Sequence, residues 1–324
     1  MKAFKIYKKR LKYFFLGLLL QFLLQIVKVL PWKTTTWLMA RTGALAFIIV
    51  RKEREKTIRN LTIAYGENKS KKEIYQMARE VWINLGKSAA EFAIKLNITD
   101  KETYFKNVEI IGLEHVQKAL ERGDGVLFIV SHMGCWEAFS NATMLLDMRA
   151  GAVGQTLGDK KINDLLIKSR ERLGFKLLPR GSSYKTILNF IANNHSMGIL
   201  IDQDTRVKSV FVDFYGKPAY TPIGAAMIAL DSGASVMAAY YLKKPDDTWK
   251  IVVNPEFNII RTGDRKHDLY KNTELFHKDI EEMIKQYPTQ WVWMHERWKT
   301  TPEIVKERDR KKKEDRLKRR QKIQ

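Results

Sequence analysis

An apolar run of five residues, Val126 to Val130, constrains the fold of this chain more than any other feature. A short run without polar interruption, rich in β-branched side chains, is typical of a strand buried on both faces of a sheet. Strands are predicted at about 108–111, 125–130, 151–155, 198–201, 234–242 and 249–253, and helices at about 115–122, 136–147, 159–173, 183–194 and 222–231. This alternation predicts an α/β fold, with a mixed, largely parallel sheet flanked by helices.

The region before these strands is predicted to be mostly helical, from residue 34 to about residue 100. Ser70 is a plausible N-cap, and Glu73 stands at the capping-box position before an apolar-periodic run through Phe92. No Pro-, Gly- or Ser-rich linker divides the chain, and 324 residues with 45% hydrophobic content suffice for a substantial core. We therefore expect one domain over 33–302, between an N-terminal segment, 1–32, and a charged tail, 303–324.

A histidine and a carboxylate, His132 and Glu137, follow the apolar run directly. Five residues on a continuous helix turn by about 140°, so the two side chains converge only if His132 lies in a turn before the helix that carries Glu137. Gly134 permits such a tight turn. The pair would then lie at the C-terminal end of a strand, where open α/β sheets place their active sites.

This pairing suits general base catalysis. Neutral imidazole, with an ordinary pKa of about 6.5, can take a proton from an alcohol. Glu137 would fix the His132 tautomer and stabilise the imidazolium that forms. On spacing alone, a buried histidine bonded to the nearest carboxylate is an equally good interpretation. Cys135, the single cysteine, offers a thiol nucleophile as an alternative that a small buried residue explains as well. One cysteine also excludes an intrachain disulfide and a clustered-thiol zinc site.

Four segments, in order along the chain, resemble the bacterial lipid A secondary (lauroyl/myristoyl) acyltransferases of the glycerolipid acyltransferase superfamily. HMGCWE matches the histidine-four-residues-acid signature of that superfamily, in its glutamate form. EKTIRNLTIAYG (55–66) resembles the early Arg-Asn-Leu block, VFVDFYGKPAYTPIGAAMIALDSGASVM (210–237) the Phe-Gly-x-Pro-Ala stretch, and QWVWMHERWKT (290–300) the Trp-x-His-x-Arg block. The resemblance covers roughly Tyr13 to Thr301. It implies transfer of a fatty acyl group from an acyl carrier protein thioester to a hydroxyl of a membrane glycolipid, with no cofactor.

Three further polar residues match positions where the family has polar residues near its active site. Asp202 ends the apolar strand in GILIDQD, which would put a carboxylate on the same sheet edge as His132. The resemblance implies that Asp202 orients the acceptor and that Arg170 and Arg180 bind acceptor phosphate or donor. Alternatively, Arg170 is a solvated helix residue and Asp202 caps a loop with Asp204. A metal site built from these aspartates and His132 is disfavoured, because catalytic metals usually have a denser ligand pattern.

The chain departs from the family at two places that could line the acceptor groove. Gln155 stands where many members have an arginine, and DTRVK (204–208) replaces a segment that usually contains a glycine. We expect these differences to affect which acceptor binds more than they affect the acyl-transfer chemistry.

The N-terminal segment indicates membrane association. Six basic residues precede an apolar stretch from Tyr13 to Trp32, which just reaches the roughly 20 residues that span a bilayer. Gly17, Gln21, Gln25 and Lys28 form one polar or small stripe along it, so a helix lying in the interface or packed on its own domain is as good an interpretation as a span. A cleaved signal peptide is disfavoured, because no small-x-small site follows Leu30.

The charge of this chain, a formal net of +22, is concentrated at the N-terminus and in the tail. Runs of this kind are usually solvated helices or disordered tails. As a functional surface, the tail would attract anionic headgroups or nucleic acid. Nucleic acid is disfavoured, because no helix-turn-helix, RRM or KH signature is present.

Together these features predict an O-acyltransferase at the cytoplasmic face of the bacterial inner membrane. Its expected partners are acyl carrier protein, a membrane glycolipid acceptor such as a lipid A precursor, and an anionic membrane surface. A lysophospholipid or another glycosyl-lipid is the alternative acceptor. A thioesterase that uses the same dyad with water and a non-enzymatic membrane-binding protein are the alternatives outside this class.

Overall fold

A computed structural model describes residues 30–96, 98, 100–142, 149–154, 171, 175–179 and 183–321. The predicted helix over 159–173 and the apolar segment from Tyr13 lie almost entirely outside the described residues. Arg170, Arg180 and Gln155 lie outside them as well.

The N-terminal part of the described chain is helical, as predicted. Its helices are α1 (Trp32–Ile49), α2 (Arg51–Tyr65), α3 (Lys71–Lys95) and the short α4 (Lys101–Phe105). The Ser70 side chain accepts a hydrogen bond from the Glu73 N–H, and the Glu73 side chain accepts one from the Ser70 N–H. The predicted capping box is therefore confirmed, and it fixes where the 25-residue helix α3 begins.

Nine strands follow within the described residues: β1 (Val108–Ile111), β2 (Val126–Val130), β3 (Ala150–Gly154), β4 (Phe175–Pro179), β5 (Ser196–Leu200), β6 (Ser209–Phe214), β7 (Lys217–Pro222), β8 (Ser235–Lys243) and β9 (Trp249–Val253). Seven of them form one sheet in the order β1-β9-β8-β2-β5-β3-β4. Neighbouring strands run parallel except β8 and β9, which are antiparallel. The predicted mixed, largely parallel sheet is confirmed.

Strand β2 lies inside this sheet, between β8 and β5. Leu127 and Ile129 belong to one buried apolar cluster, whereas Val126 belongs to a second cluster against which Phe128 packs. Because alternate side chains of a strand point to opposite faces, β2 is buried on both faces. The apolar run was therefore a correct guide to the fold.

The further helices within the described residues are α5 (Leu113–Arg122), α6 (Phe139–Ala142), α7 (Tyr184–Ala192), α8 (Gly224–Ser232), α9 (Arg265–Gln286) and α10 (Pro302–Gln321). The predicted helix over 136–147 begins instead with a 3₁₀ turn, Trp136–Ala138, which leads into α6. The basic tail forms the helix α10, one of the two forms expected for it. No helix in the described part of the chain has both the length and the apolar character needed to cross a bilayer.

The sequence did not predict strand β4, the hairpin strands β6 and β7 or the 22-residue helix α9. The hairpin turns at Tyr215 and Gly216, both with positive φ (54° and 71°), without the Asn-Gly or Asp-Gly pair that usually marks such a turn. In α9 the buried residues are separated by charged ones, so its apolar stripe is thin in the sequence. Strand β6 of the hairpin and α9 contact each other.

Candidate active site

The turn after β2 carries His132 and is held by bonds to two other segments. Gly134 has a φ of 57°, and a Cβ built there would lie 2.0 Å from the Tyr241 carbonyl oxygen. Glycine is therefore required for both conformation and space, as its predicted role in a tight exit implies. The Gly134 N–H donates to the Gln290 carbonyl (2.8 Å), and the Val292 N–H donates to the His132 carbonyl (3.0 Å).

Asp202 is the residue that holds the His132 side chain. One carboxylate oxygen lies 2.8 Å from His132 Nδ1, and the other accepts from the His132 backbone N–H at 2.7 Å. That second oxygen also accepts from Trp291 Nε1 at 2.7 Å. The carboxylate is fully buried, so these bonds define its position. Nδ1–H donates to Asp202 in this arrangement, which leaves the lone pair at Nε2 for proton transfer.

Strand register explains why these two residues meet. Strands β2 and β5 are parallel neighbours in which Val130 pairs with Leu200. His132 and Asp202 each stand two residues beyond that pair, so they emerge side by side at the same sheet edge. The predicted placement of both residues at one edge is therefore correct.

Asp202, and not Glu137, is the carboxylate that lies at His132 Nδ1. Glu137 lies half-buried in the 3₁₀ turn and acts on His132 as a nearby negative charge. A role for Glu137 in catalysis stays a prediction. The geometry gives Asp202 an orienting contact with the ring of His132 in addition.

The electrostatics of the pair follow from burial and charge. Burial disfavours the imidazolium, but the charge of Asp202 and its hydrogen bond outweigh burial, with a smaller effect of Glu137, so the pKa of His132 is raised. For Asp202, burial opposes ionisation, yet the charge of His132 and the three hydrogen bonds hold its pKa below the ordinary range. The carboxylate is therefore ionised at neutral pH and favours a proton on His132.

A second histidine, His295, lies beside the first, with ring centroids 5.3 Å apart. Burial, followed by the charge of His132, lowers the pKa of His295 to about 4, so it stays neutral when His132 is protonated. Its Nε2 lies 2.5 Å from the side-chain nitrogen of Gln203. Asn60 donates to the carbonyls of His295 (2.6 Å) and Trp293 (2.7 Å).

These contacts bring together the blocks that carry the family resemblance. Asn60 comes from the Arg-Asn-Leu block, and His295 from the Trp-x-His-x-Arg block. Arg297 of the same block is fully buried and donates to the Tyr220 carbonyl of the hairpin at 2.9 Å. The quoted blocks could have identified these residues as functional, although nothing in the sequence indicated which atoms they contact.

The other aspartate, Asp204, has a structural partner. Its carboxylate accepts from the Thr300 N–H (2.8 Å) and from the Thr300 hydroxyl (3.0 Å). Asp204 thus ties the loop after β5 to the segment after His295, which is close to the loop-capping alternative noted for it.

The positive end of the helix after Gly134 and the backbone N–H groups of the turn are the two candidates for stabilising an oxyanion at this site. Four consecutive N–H groups, of residues 132 to 135, all donate within the protein instead, to Asp202, Ser131, Gln290 and Tyr241 in that order. These four donors maintain the turn and are already used within the protein.

Cys135 is buried, with 2% of its surface exposed, and its Sγ lies 3.3 Å from the Ser88 carbonyl. Burial raises the pKa of the thiol well above its ordinary value, so it is protonated at neutral pH and is a poor nucleophile.

We expect Cys135→Ser to retain acyltransferase activity within about threefold, because serine can keep the bond to Ser88. Steady-state rates of purified variant and wild type would check this, and a loss of 10²-fold or more in a folded variant would revive the thiol mechanism.

Comparison with known proteins gives an independent result. Residues 1–300 match the family described as bacterial lipid A biosynthesis acyltransferase. The chain is 25% identical over 194 residues to the phosphatidylinositol mannoside acyltransferase of Mycobacterium tuberculosis, covering 58% of each chain. It is 23% identical over 276 residues to the lipid A biosynthesis palmitoleoyltransferase of Escherichia coli (84% of this chain, 87% of the relative) and 24% identical over 298 residues to the lauroyltransferase of that organism (88% and 92%).

Proposed function

We propose, from the premise that this chain belongs to the bacterial lipid A biosynthesis acyltransferase family, that it moves a fatty acyl group from an acyl carrier protein thioester to a hydroxyl of a membrane glycolipid. The observation that carries this proposal is the pair of His132 and buried Asp202 at the carboxyl end of adjacent parallel strands. Such a pair provides a general base whose substrate must supply the nucleophilic oxygen.

In the proposed reaction, His132 Nε2 takes the proton from the acceptor hydroxyl as its oxygen attacks the thioester carbonyl carbon. Asp202 holds the ring and stabilises the imidazolium that forms, and the negative charge of Glu137 adds to that stabilisation. The tetrahedral intermediate then expels the thiolate as the carbon–sulfur bond breaks. His132 returns its proton to the sulfur, which yields an ester and a free thiol and restores the neutral base.

A lipid A precursor is the favoured acceptor, and the cytoplasmic face of the inner membrane is the proposed location. Support comes from the lipid A enzymes of Escherichia coli, which align over 84% or more of this chain. The phosphatidylinositol mannoside relatives make another phosphate-bearing glycolipid the alternative acceptor. In either case Arg170 and Arg180 are proposed to bind the phosphate or the donor, and the charge of +22 suits an acidic carrier protein and anionic lipid.

Products distinguish acyl transfer from hydrolysis. With acyl carrier protein thioester and no lipid acceptor, we expect slow release of fatty acid, because water is poorly positioned where a sugar hydroxyl should bind. Adding the correct acceptor should divert most of the acyl groups into a lipid product, which mass spectrometry would identify. Equal thioester consumption and only free fatty acid with every glycolipid and lysophospholipid tested would instead establish a thioesterase.

A further inference from the structure

The outer face of α1 exposes an unusual set of large apolar side chains. We define the α1 strip as Trp37, Leu38, Leu45, Ile48, Ile49 and Val50. Ile49 is 68% exposed, Ile48 64%, Trp37 58% and Leu45 55%. Six of the ten large hydrophobic residues that are exposed in the described part of the chain belong to this strip, so it is a patch and not scattered exposure.

The opposite face of α1 is locked onto the domain. A Cβ on Gly43 would lie 2.2 Å from the Trp82 carbonyl oxygen, and one on Gly86 would lie 2.1 Å from the Met39 carbonyl oxygen. The backbones of α1 and α3 therefore touch, and Phe47 is buried between them and packs edge-on against Trp82. The α1 strip is thus a fixed feature of the folded domain.

Positive charge borders the strip. Arg41 lies between Trp37 and Leu45 on the same face, with its guanidinium 5.4 Å from the centre of the Trp37 ring. A cleft of about 550 Å³ opens beside the strip. Its walls contain four basic residues, Lys33, Arg41, Arg79 and Lys87, and three acidic ones, Glu80, Asp246 and Asp247. Tryptophan with arginine at the edge of an apolar patch is the composition of protein surfaces that lie in the headgroup layer of a bilayer.

The strip also continues a second apolar feature. Helix α1 begins at Trp32, where the apolar stretch from Tyr13 ends in the sequence. At its other end, Arg54 of α2 donates to the carbonyls of Phe47 and Ile48. Asn60, which holds the His295 segment, lies nine residues after Arg51, or about 14 Å along α2. Helix α2 therefore connects the end of the strip with the segment that carries His295.

We propose that the α1 strip docks this domain on an anionic phospholipid bilayer, with its apolar side chains among the acyl chains and Lys33, Arg41 and Arg79 among headgroup phosphates. This surface is distinct from the N-terminal apolar stretch, because it belongs to the folded domain. The inference deepens the proposed function, on which its purpose rests, since docking would present the active site to an acceptor that stays in the bilayer.

Vesicle binding can be read at the strip itself, without any substrate. In the full-length chain with Cys135→Ser, Ile49→Cys would carry an environment-sensitive fluorophore, and Ile111→Cys, 42% exposed on β1, would carry it in the matched control. We expect the label at residue 49, and not at residue 111, to shift to the blue when phosphatidylglycerol vesicles are added. Phosphatidylcholine vesicles should give a weaker shift, because they lack the net negative charge.

Three results would overturn this proposal. The label at residue 49 would stay in a watery environment while the protein sediments with the vesicles, or it would already be blue-shifted without lipid. In the second case, dependence on protein concentration would identify a second copy as the occupant, and independence would identify another part of the same chain. Equal shifts at residues 49 and 111 would show that the label and not the strip enters the lipid.

Activity provides the second measurement. We expect Ile48→Ser with Ile49→Ser to lower transfer to a vesicle-embedded acceptor about tenfold and to leave transfer to a detergent-dispersed acceptor within twofold. Ile111→Ser should change neither rate. An unchanged rate on vesicles would contradict the docking role, whereas absence of transfer in every format would reject the proposed function and leave the fluorescence result standing.

Discussion

Replacing His132 with alanine is expected to lower the rate of acyl transfer by at least about 10², and to nearly abolish it if proton removal limits the reaction. The variant loses the imidazole that Asp202 holds in position as the proposed base. Steady-state kinetics with acyl carrier protein thioester and lipid acceptor would measure the loss, with circular dichroism to confirm the fold. His267→Ala, at an exposed histidine, should behave as the wild type.

Glu137→Ala belongs to the same experiment and should be less severe than His132→Ala. Glu137 contributes a charge to the environment of His132, whereas Asp202 makes the hydrogen bond. A folded His132→Ala enzyme with normal turnover would rule out general base catalysis by His132. A Glu137→Ala enzyme less active than the His132→Ala enzyme would assign Glu137 a role of its own, beyond its charge on His132.

Local features of the chain could be predicted from the sequence because their causes are local. The apolar run of β2, the glycine of the turn and the Ser70 cap each depend on neighbours within a few residues. The largely parallel character of the sheet also followed from alternation, since parallel strands need crossover helices, whereas the order of the strands was not predicted.

Features that depend on contacts between residues far apart in the sequence were harder to predict. Asp202 was recognised as a site residue, yet its hydrogen bond to His132 follows from the register of β2 against β5, which joins residues 70 positions apart. Glu137 seemed the natural partner because it is near in sequence. The contact of His295 with His132 and the bond from Trp291 arise from a segment that returns after α9, a helix that the sequence did not predict.

The active site therefore has the usual division between a local and a long-range part. The base and its turn are encoded together, within HMGC, whereas the groups that tune the base come from the loop after β5 and from residues 291 to 295. Substitutions in these later segments should alter the properties of His132 more than its position, because its backbone is held by Asp202 and Val292.

Asp202→Asn is the substitution that tests this tuning most directly. Asparagine keeps the shape but loses the charge, and it presents at most one acceptor oxygen where three N–H groups now donate. We expect turnover to fall by about 10² or more, because the imidazolium loses its counterion and the His132 tautomer is no longer fixed. Steady-state kinetics would measure it. Asp204→Asn is the matched control. Asp204 is also buried in a loop but is bonded to Thr300, so its substitution should cost stability and not turnover of the folded enzyme.

The pH profile separates this role from a merely structural one. Activity requires neutral His132, so the wild-type rate should fall as pH decreases through the raised pKa of His132. Without the charge of Asp202, burial dominates and the pKa of His132 drops, so the acid limb of the residual activity should move to lower pH. Asp204→Asn should leave the limb unchanged. An unchanged acid limb in Asp202→Asn would contradict the assigned coupling.

The free energy of unfolding should also depend on pH through the pair of His132 and Asp202. Because the pKa of Asp202 is lowered in the folded protein, its ionised carboxylate contributes fully to folding stability above its ordinary pKa of about 3.9. That contribution is lost as pH falls below this value. The raised pKa of His132 makes its contribution complete below about 6.5 and lost as pH rises through the folded-state value. The charged pair therefore stabilises the fold most between about pH 4 and 6.5. Urea unfolding should show a larger loss of stability in Asp202→Asn at pH 5.5 than at pH 8.5. At the higher pH His132 is neutral, so the substitution removes only a hydrogen bond to a neutral ring. An equal loss at both pH values would mean that the ion pair is not formed.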